Sequence, residues 1–423
     1  MYSSAQHGIS PAKVGTAVLS VVSRLQRAGF SAYLVGGSVR DLMLGRQPKD
    51  FDVATSATPE QIRPLFKQCR LIGRRFRLAH IYVDHQLIEV ATFRASGDDS
   101  AHQRVNDQGR LLRDNIFGSI EEDALRRDFT VNALFYDPAT EEVIDYVHGV
   151  EDLRAGLLRL IGDPEQRYRE DPVRLLRAAR FAAKLDFKIE PVCELPLARM
   201  GVLLDDISSS RLFEEVRKLF LSSAAEATFA RLRHYGLFGF LFPDTERVLS
   251  QAQNGAPLEL IQQAMRNTDQ RLLEDKPVTP AFLFAVLLWE PVRQRAVQLL
   301  DEMEGNETHA LDRAGAELIA QQCHRTSIPR RFSFSTREIW SLQPRFQHIT
   351  PKRAARFVQH PRFRAAYDFL LLRVGVGEQD VEMADWWTQF QETQPGRHAS
   401  GHVLPEAFVS GPTRRRRPPR RRA

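Results

Sequence analysis

Strand patterns and helical patterns occupy different parts of this 423-residue chain. Short strand patterns alternate with short helical ones up to about residue 155, and helical periodicity dominates from there to about residue 390. From residue 392 onward Pro, Gly, Ser and Arg prevail with few apolar residues, a composition that cannot bury a core. We therefore predict an α+β fold in which a small mixed sheet is followed by an all-α region and a disordered tail.

These changes of pattern divide the chain into four regions. We predict an α+β head at residues 1–155, a helical neck at 156–234, a helical body at 235–391 and an arginine-rich tail at 392–423. A chain of this length has room for two to four compact units, at about 100–200 residues per domain.

The positive charge of the chain belongs to its tail. Lys and Arg number 59 against 53 Asp and Glu, which gives a formal net charge of +6. Without the seven tail arginines, 52 basic residues face 53 acidic ones, or −1. An arginine-rich tail can hold RNA phosphates, and if all seven arginines did so, log K for RNA binding would fall with log salt at a slope of about −5. A solubilising tail or one that docks another protein is the alternative. The seven arginines are Arg414, Arg415, Arg416, Arg417, Arg420, Arg421 and Arg422.

Apolar runs and cysteines exclude several classes of protein. The longest apolar run, residues 282–289, is far shorter than the roughly 20 residues of a membrane span. The cysteines Cys69, Cys193 and Cys323 lie far apart without a C-x-x-C pair, so neither a zinc site nor a disulfide framework is indicated. Residues 14–22 lack a following cleavage site and are interpreted as a surface helix. We expect a cytoplasmic protein that does not bind membranes.

Local signals place the first elements of the head. Helices are predicted at residues 11–28 and 39–44, and a further helix begins after the Thr58 cap. Strands are predicted at 32–35 and 51–54. A hairpin of residues 78–83 and 87–93, joined through 84–86, precedes a polar loop at 96–109.

Two carboxylates lie two residues apart in the string K-D-F-D-V at residues 49–53. If this string is a strand, Asp50 and Asp52 share one face while the apolar residues point into the core. Like charges side by side need a cation, and hard carboxylate oxygens suit Mg²⁺. Glu89 lies among apolar residues of a later strand, where a charge must be paired, and is the candidate third ligand. A solvated strand face and an edge-strand charge are the alternatives.

The glycines Gly36 and Gly37 lie between a predicted strand and a predicted helix. Glycine there lets the backbone approach a ligand, and the amides of the helix N-terminus face phosphate. Arg40, in the first turn, could pair with a triphosphate oxygen. A tight strand–helix turn without a ligand is the alternative.

The string G-G-x-V-R-D at residues 36–41, followed by D-x-D at 50–52, resembles the head of the class II nucleotidyltransferases. This family comprises the bacterial poly(A) polymerases and the CCA-adding tRNA nucleotidyltransferases, within the polymerase β superfamily. In it, two aspartates bind the catalytic metals on a small sheet, and a third carboxylate lies on a neighbouring strand, as Glu89 does. The resemblance implies two Mg²⁺ ions held by Asp50, Asp52 and Glu89, with ATP as the substrate.

A second string, R-R-D-F-T-V-N at residues 126–132, resembles the family motif R-R-D-x-x-x-N. In the family the second arginine contacts phosphate, the aspartate approaches the ribose hydroxyl and the asparagine orders the site. The resemblance assigns these roles to Arg127, Asp128 and Asn132. Whether Asp128 also acts in catalysis stays open, and a capped surface helix with solvated arginines is the alternative.

A third string, E-D-P-V-R-L-L-R-A-A-R at residues 170–180, resembles the family motif E-D-x-x-R. There an aspartate and an arginine read the base edge, which implies this role for Asp171 and Arg174. Arg177 and Arg180 are expected to contact phosphate or to support the site. A good bidentate pair discriminates between bases by about 1–3 kcal/mol. A solvated basic stripe is the alternative.

The string L-I-G-R-R-F-R-L-A-H at residues 71–80 resembles the segment that marks bacterial poly(A) polymerases. The resemblance continues through residues 111–117, 167–185 and 357–387, and the arginine tail also favours polyadenylation. We therefore expect template-independent transfer of AMP from ATP to RNA 3′ ends, with release of pyrophosphate, in support of RNA decay. The alternatives are a CCA-adding enzyme and a catalytically inactive RNA-binding adaptor.

The resemblance also implies partners. We expect the 3′ ends of mRNA, regulatory RNA and tRNA precursors as substrates, and RNA-decay machinery or an RNA chaperone as protein partners. The body is expected to guide RNA, although no contact residue in it stands out from the sequence.

Overall fold

The computed structural model describes residues 1–73, 77–95, 104–105, 111–113, 117–252, 255–302, 306–347 and 350–393. The chain forms two compact units. Unit 1 contains residues 1–247 together with 322–328, and unit 2 contains residues 248–321 together with the chain from 329 onward.

Unit 1 is built on a seven-stranded mixed sheet with the strand order β3-β4-β5-β2-β1-β8-β9. Only β2 and β5 pair in parallel within it, and all its other pairs are antiparallel. Two small sheets, β6-β7 and β10-β11, accompany it. The strands are β1 Ala32–Val35, β2 Asp52–Thr55, β3 Cys69–Ile72, β4 Leu78–Val83, β5 Gln86–Thr92, β6 Arg104–Val105, β7 Leu111–Arg113, β8 Leu134–Asp137, β9 Glu142–Asp145, β10 Leu157–Leu158 and β11 Lys188–Ile189.

The helices of unit 1 surround this sheet and continue beyond it. They are α1 Ser4–His7, α2 Thr16–Arg27, α3 Gly37–Met43, α4 Pro59–Ile62, α5 Ile120–Leu125, α6 Gly149–Ala155, α7 Pro164–Glu170, α8 Val173–Leu185, α9 Pro191–Met200, α10 Ser209–Phe220, α11 Ala225–His234, α12 Phe238–Leu241 and α13 Pro243–Gln251, which runs into unit 2. Short 3-10 helices occur at Pro11–Lys13, Arg63–Leu65, Thr130–Asn132 and Gly201–Asp206.

Unit 2 is helical in its described part. Its helices are α14 Ala256–Leu273, α15 Pro280–Leu287, α16 Trp289–Glu302, α17 Glu307–Arg325, whose last residues belong to unit 1, α18 Arg330–Ser341, α19 Pro351–Phe357, α20 Phe363–Gly375 and α21 Val381–Glu392, with a 3-10 helix at Gln343–Phe346. An aromatic cluster that includes Phe346, Phe357, Phe363 and Trp387 forms part of its core. None of the helices in the described ranges combines the length and the hydropathy that crossing a bilayer requires.

The α+β fold predicted from the sequence is confirmed, with differences at element ends. The hairpin turns on Asp84 and His85, both with positive φ (47° and 62°), so Gln86 already belongs to β5. Thr58 caps α4 by accepting a hydrogen bond from the backbone N–H of Gln61, as predicted. Helix α2 begins only at Thr16, because a separate 3-10 turn precedes it.

Three expectations about strands need correction or fall outside the description. The predicted strand at residues 51–54 begins at Asp52, so Asp50 lies in a bend before it. The neck contains the short parallel pair β10 and β11, although no strand was expected there. Within the polar loop predicted at 96–109, only Arg104–Val105 is described, and it forms β6.

Candidate active site

The acidic centre is set by the one parallel strand pair of the seven-stranded sheet. The register of β2 and β5 makes Asp52 the direct partner of Glu89, and Val35 at the end of β1 is the partner of Asp52 on its other side. Because register partners in neighbouring strands lie on the same face, the two carboxylates lie side by side, as expected. Asp50 is exposed in the bend before β2 and contributes repulsion to Asp52.

His80, which was not among the predicted site residues, lies on the far side of Glu89. It is the register partner of Glu89 in β4, and its Nε2 lies 3.1 Å from Glu89 Oε1. This Nε2 is buried and makes no hydrogen bond to any residue in the described ranges. Glu89 is therefore flanked by a carboxylate on one strand and an imidazole on the other.

The environment of Asp52 disfavours its charged form. Its side chain retains accessible surface, yet protein atoms crowd around the carboxyl group. This desolvation raises the pKa of Asp52 to about 6, and repulsion from Glu89 and Asp50 adds to the increase, while Arg127 opposes it. A carboxylate held in this state gains from any cation that reaches it.

The donor set at this edge of the sheet fits a hard divalent cation, but it is not closed around one. Asp52 and Glu89 supply adjacent carboxylates, and Asp50 is near enough to repel Asp52. Carboxylate oxygens are the ligands that Mg²⁺ prefers. Nevertheless, no group of three or more His, Cys, Asp and Glu side chains within the described ranges is arranged to hold a metal ion.

The glycine turn lies at the same edge of the sheet. Gly36 follows the strand end that pairs with Asp52, donates its N–H to Leu134 O and has φ 75° and ψ −131°, a conformation open to glycine alone. A Cβ on Gly36 would lie 3.4 Å from Arg127 Nη1 and 3.6 Å from Asn132 O. The predicted strand–turn–helix is present, and it brings the turn against the R-R-D string.

Arg40 makes protein contacts rather than facing outward. Its side chain is buried, and Nε and Nη2 donate to Asp41 Oδ1 at 2.9 and 2.7 Å. Its Nη1 donates to Asn132 Oδ1 at 2.5 Å. The expected triphosphate contact therefore has little support in this geometry, because the guanidinium is bonded to Asp41 and Asn132 and has almost no accessible surface.

Asp128 is saturated with hydrogen bonds. Its Oδ1 accepts hydrogen bonds from the N–H of Phe129 at 2.8 Å and from Asn132 Nδ2 at 3.2 Å. Its Oδ2 accepts hydrogen bonds from Nε of Arg177, at 2.7 Å, and from Nη2 of the same residue. Burial alone would raise the pKa of Asp128, but the charge and hydrogen bonds of Arg177, with those of Asn132 and Phe129, hold it at about 2. A carboxylate with this pKa is a poor general base near neutral pH.

Arginines gather around the R-R-D string. Arg127 donates Nε and Nη2 to Asp123 Oδ2 at 3.1 and 2.7 Å and lies over the ring of Phe135. Burial, followed by repulsion from neighbouring guanidinium groups, lowers the pKa of Arg126 to about 9. The repelling groups are Arg94, Arg167, Arg174 and Arg127. A cluster of partly buried positive charges of this kind is stabilised by an anion.

Arg94 and Arg167 were missed by the analysis of the sequence. Burial lowers the pKa of each, and Arg167 donates to the carbonyl oxygens of Arg126 and Arg127 at 2.7 and 2.6 Å. Neither residue belongs to a motif quoted above for the R-R-D string, and no spacing along the chain links them to it. Only the packing of α7 and the strand end after β5 reveals them.

The predicted base-reading residues lie where the neck helices begin. Asp171 accepts from Arg211 Nη2 at 2.7 Å through Oδ2, whereas its Oδ1 is buried without a hydrogen bond. Among the residues that the structure describes, Arg174 donates through Nη1 alone, to Glu170 Oε2 at 3.1 Å and to Arg167 O at 2.7 Å. The Oδ1 of Asp171 thus has almost no accessible surface and no partner among the described residues, and Nε and Nη2 of Arg174 donate to none of these residues. Arg211 is a further residue that the sequence did not reveal.

The other two arginines of α8 differ from each other. Arg177 bridges to Asp128 of the R-R-D string, so the structure joins the second and third motifs directly. Arg180 is buried and lies 4.3 Å over the ring of Phe181, and its Nε has no hydrogen bond within the described part of the chain. Burial, with repulsion from Arg177, lowers the pKa of Arg180 to about 10.

Several predicted residues lie outside the described ranges. They include the whole tail with its seven arginines and, in the string at 71–80, Arg74 and Arg75. Arg77 of the same string is described, and it forms an exposed ion pair with Glu60 at 2.7 Å.

Three family models match this chain. The "Poly A polymerase head domain" matches residues 32–159, the "Probable RNA and SrmB- binding site of polymerase A" matches residues 186–249, and the "Polymerase A arginine-rich C-terminus" matches residues 304–422. The motifs at 36–41, 50–52 and 126–132 all fall inside the first match.

Individual proteins give the same picture. Poly(A) polymerase I of Salmonella typhi is 47% identical, over 99% of this chain and 91% of that protein. A CCA-adding enzyme of Enterococcus faecalis is 40% identical, but over only 48% of this chain and 48% of that enzyme. The solved structure of the Bacillus stearothermophilus CCA-adding enzyme in complex with CTP has a TM-score of 0.61 at 24% identity, covers 89% of this chain and 81% of that one, and shows a shared fold. The chain belongs to the bacterial poly(A) polymerases, a family of nucleotidyltransferases.

Proposed function

We propose that this protein adds AMP from ATP to RNA 3′ ends without a template and releases pyrophosphate. The observation that carries the proposal is the parallel register of β2 and β5, which sets Asp52 beside Glu89 at the edge where Gly36 meets Arg127. The carboxylates on one side suit the magnesium ion of magnesium-ATP, and the guanidinium groups on the other side suit its triphosphate.

Asp50, Asp52 and Glu89 are the side chains that would hold two Mg²⁺ ions. Such a pair, when bound, lowers the pKa of the RNA 3′-hydroxyl and offsets the charge that develops on the departing pyrophosphate. The contribution of the chain is to keep Asp52 and Glu89 in register although their charges repel, so that the carboxylates are in place before a cation arrives.

The arginine cluster is the proposed triphosphate site. Arg127 faces the glycine turn, and Arg126 is partly buried near other guanidinium groups, whose repulsion a polyphosphate would relieve. Donors that are fixed before the reaction stabilise developing charge without reorganisation, which supports electrostatic catalysis here. Arg127 is held by Asp123, so its guanidinium is positioned without substrate.

A chain of hydrogen bonds from Arg40 through Asn132 and Asp128 to Arg177 connects the head to the neck. We assign Asp128 and Arg40 to positioning in this chain. The saturated oxygens and low pKa of Asp128 support neither proton transfer nor an additional ribose contact without displacing a present partner. Their role is then to fix α8 relative to the R-R-D string.

Asp171 and Arg174 are the proposed readers of the base. Once nucleotide entry exposes it, the unpartnered Oδ1 of Asp171 can accept from an amino group, and the Nε and Nη2 of Arg174 can donate to a ring nitrogen. Adenine and cytosine both offer an amino donor beside a ring-nitrogen acceptor, whereas guanine and uracil do not, so this pair supports ATP or CTP over GTP and UTP and leaves the choice between ATP and CTP to primer extension.

Family membership supports the wider proposal about substrates and partners. We propose that its substrates are the 3′ ends of mRNA, regulatory RNA and tRNA precursors. We propose that its protein partners are RNA-decay machinery or an RNA chaperone, and that it acts in the cytoplasm, where ATP and these RNAs occur. The match of residues 186–249 to the RNA-binding family model supports RNA binding by this part of the chain.

Primer extension separates this function from its rival. The purified protein is given an oligo(A) primer with each nucleoside triphosphate separately, and in parallel a tRNA that lacks its terminal CCA. Long A tracts made from ATP alone support the proposal. Addition of three nucleotides to the tRNA in a CTP-dependent reaction, without A tracts on the primer, would identify a CCA-adding enzyme instead.

A further inference from the structure

Ion pairing divides the basic side chains of unit 2 into two groups. Most of those in its described part form ion pairs: Arg266, Lys276, Arg293, Arg295, Arg313, Arg337, Arg362, Arg364 and Arg373. Apart from Arg271, the basic side chains with no ion pair to a described residue all fall between residues 330 and 356: Arg330, Arg331, Arg345, Lys352, Arg353 and Arg356.

Arg330 and Arg331 stand out within this second group. They are exposed, open α18 directly after the N-cap Pro329, and have no acidic residue in the first turn. A helix N-terminus carries partial positive charge, so two cations there are placed unfavourably for stability. Their position therefore calls for a reason other than the stability of the helix.

Phe334 lies one turn further on the same face of α18. It follows Arg330 by four residues and Arg331 by three, spacings that bring side chains together on a helix. Its side chain is 63% exposed, whereas Phe346 and Phe357 of the same unit are buried in the aromatic cluster. An exposed ring thus lies one helical turn from two arginines that have no acidic partner among the described residues, and Arg331 itself lies 4.7 Å over the ring of Phe332.

The opposite face of α18 holds the helix in place without Phe334. Trp340 Nε1 donates to Ala285 O at 3.0 Å, and Thr336 Oγ1 donates to Ala281 O at 2.9 Å, so α18 is bonded to α15. Both of these α18 side chains are buried. Substitution of Phe334 should therefore leave the fold unchanged.

We propose that Arg330, Arg331 and Phe334 form a contact for single-stranded RNA, in which the ring stacks on a base and the arginines hold the adjoining phosphates. Aromatic rings and guanidinium groups side by side are the combination by which proteins hold single strands without reading their sequence. The inference rests on the proposed RNA substrate, but not on the catalytic chemistry.

The test is the affinity of the full-length protein for a labelled single-stranded oligo(A), measured without ATP at several salt concentrations. Phe334→Ala and Phe334→Leu should each weaken binding roughly tenfold, while Phe334→Trp retains it, because stacking needs an aromatic face. The double variant Arg330→Gln/Arg331→Gln should make the salt slope shallower by about 1.4, at about 0.7 per phosphate contact. Thermal unfolding of each variant checks the fold.

Arg313→Gln is the matched control, since it removes one exposed positive charge that is paired with Glu317. It should leave both the affinity and the salt slope unchanged. Wild-type RNA affinity in Phe334→Ala overturns the proposal, and so does wild-type affinity in Phe334→Leu, which would indicate an apolar protein-docking contact. A protein that makes no A tracts but shows these losses of affinity would refute the proposed function and leave this inference standing.

Discussion

At the scale of single residues, the proposed active site depends on two carboxylates that the register of the sheet places side by side. The register of β2 and β5 places Asp52 against Glu89, and the environment raises the pKa of Asp52 to about 6. In the absence of a cation this arrangement costs stability, as functional sites commonly do. The repulsion is therefore a signature of the site rather than a defect of the fold.

The raised pKa of Asp52 predicts how stability depends on pH in a chelator. The folded-state pKa lies above the ordinary value of 3.8, so the carboxyl group favours folding below pH 3.8, and this advantage is lost as the pH rises through about 6. Asp52→Asn should then raise Tm at pH 8 by roughly 2–4 °C, or about 1 kcal/mol after allowance for the exposed side chain. Thermal unfolding at pH 4 and pH 8 measures this, and a variant that is less stable at pH 8 would contradict it.

The sequence contains the motifs but does not reveal the partner of each side chain. Arg40 is a residue type that commonly binds phosphate, yet its guanidinium donates hydrogen bonds to Asp41 and Asn132. For Asp128 the sequence left ribose contact and catalysis open, and its contact with Arg177, a residue 49 positions away, argues instead for positioning. Such partners depend on tertiary packing, which no local string records.

At the scale of elements, the sequence predicted turns better than strand ends. The hairpin, the Thr58 cap and the glycine turn are confirmed because each depends on local backbone chemistry. The start of β2 at Asp52 depends instead on where its partners β1 and β5 offer hydrogen bonds. The short pair β10 and β11 was missed for the same reason, since two-residue strands have no periodicity.

The glycine turn leads to a prediction for Gly36→Ala. The backbone conformation is closed to alanine, so the variant should lose about 1–3 kcal/mol of stability; because the added Cβ would also come within 3.4 Å of Arg127 Nη1, the relaxed turn should displace this guanidinium and weaken ATP binding. The KM for ATP in primer extension, together with Tm, measures both effects.

Gly45→Ala is the matched control for the glycine turn. Gly45 also has a positive φ, 72°, but a Cβ there meets nothing within 4 Å. It should lower Tm through backbone strain without raising the KM for ATP. An equal rise of KM in both variants would show that Gly36 has no special relation to Arg127.

At the scale of the whole molecule, the arginine cluster shows what a linear analysis leaves out. Arg94 follows β5, Arg126 follows α5, and Arg167 belongs to α7, so three separate elements converge on one place. The sequence predicted the α+β head and the motifs within it, but this convergence required the fold. The same holds for Arg211, which reaches Asp171 from α10.

The tail gives a prediction for the whole chain, although it lies outside the described residues. Removal of residues 414–423 eliminates all seven tail arginines, so RNA affinity should fall and its salt slope should become shallower by up to about 5. Addition of a single AMP at saturating primer should proceed at the full rate, while long tracts should shorten. Unchanged RNA affinity at low salt would show that the tail is not an RNA anchor.

The central claim is that Asp52 and Glu89 hold a divalent cation against the triphosphate, and single-turnover incorporation of AMP by Asp52→Asn tests it most directly. With ATP, Mg²⁺ and an oligo(A) primer, the variant should be slower by roughly a thousandfold or more, while its fold and its RNA affinity stay those of the wild type. Near-normal incorporation by Asp52→Asn would contradict the metal assignment and the account built on it.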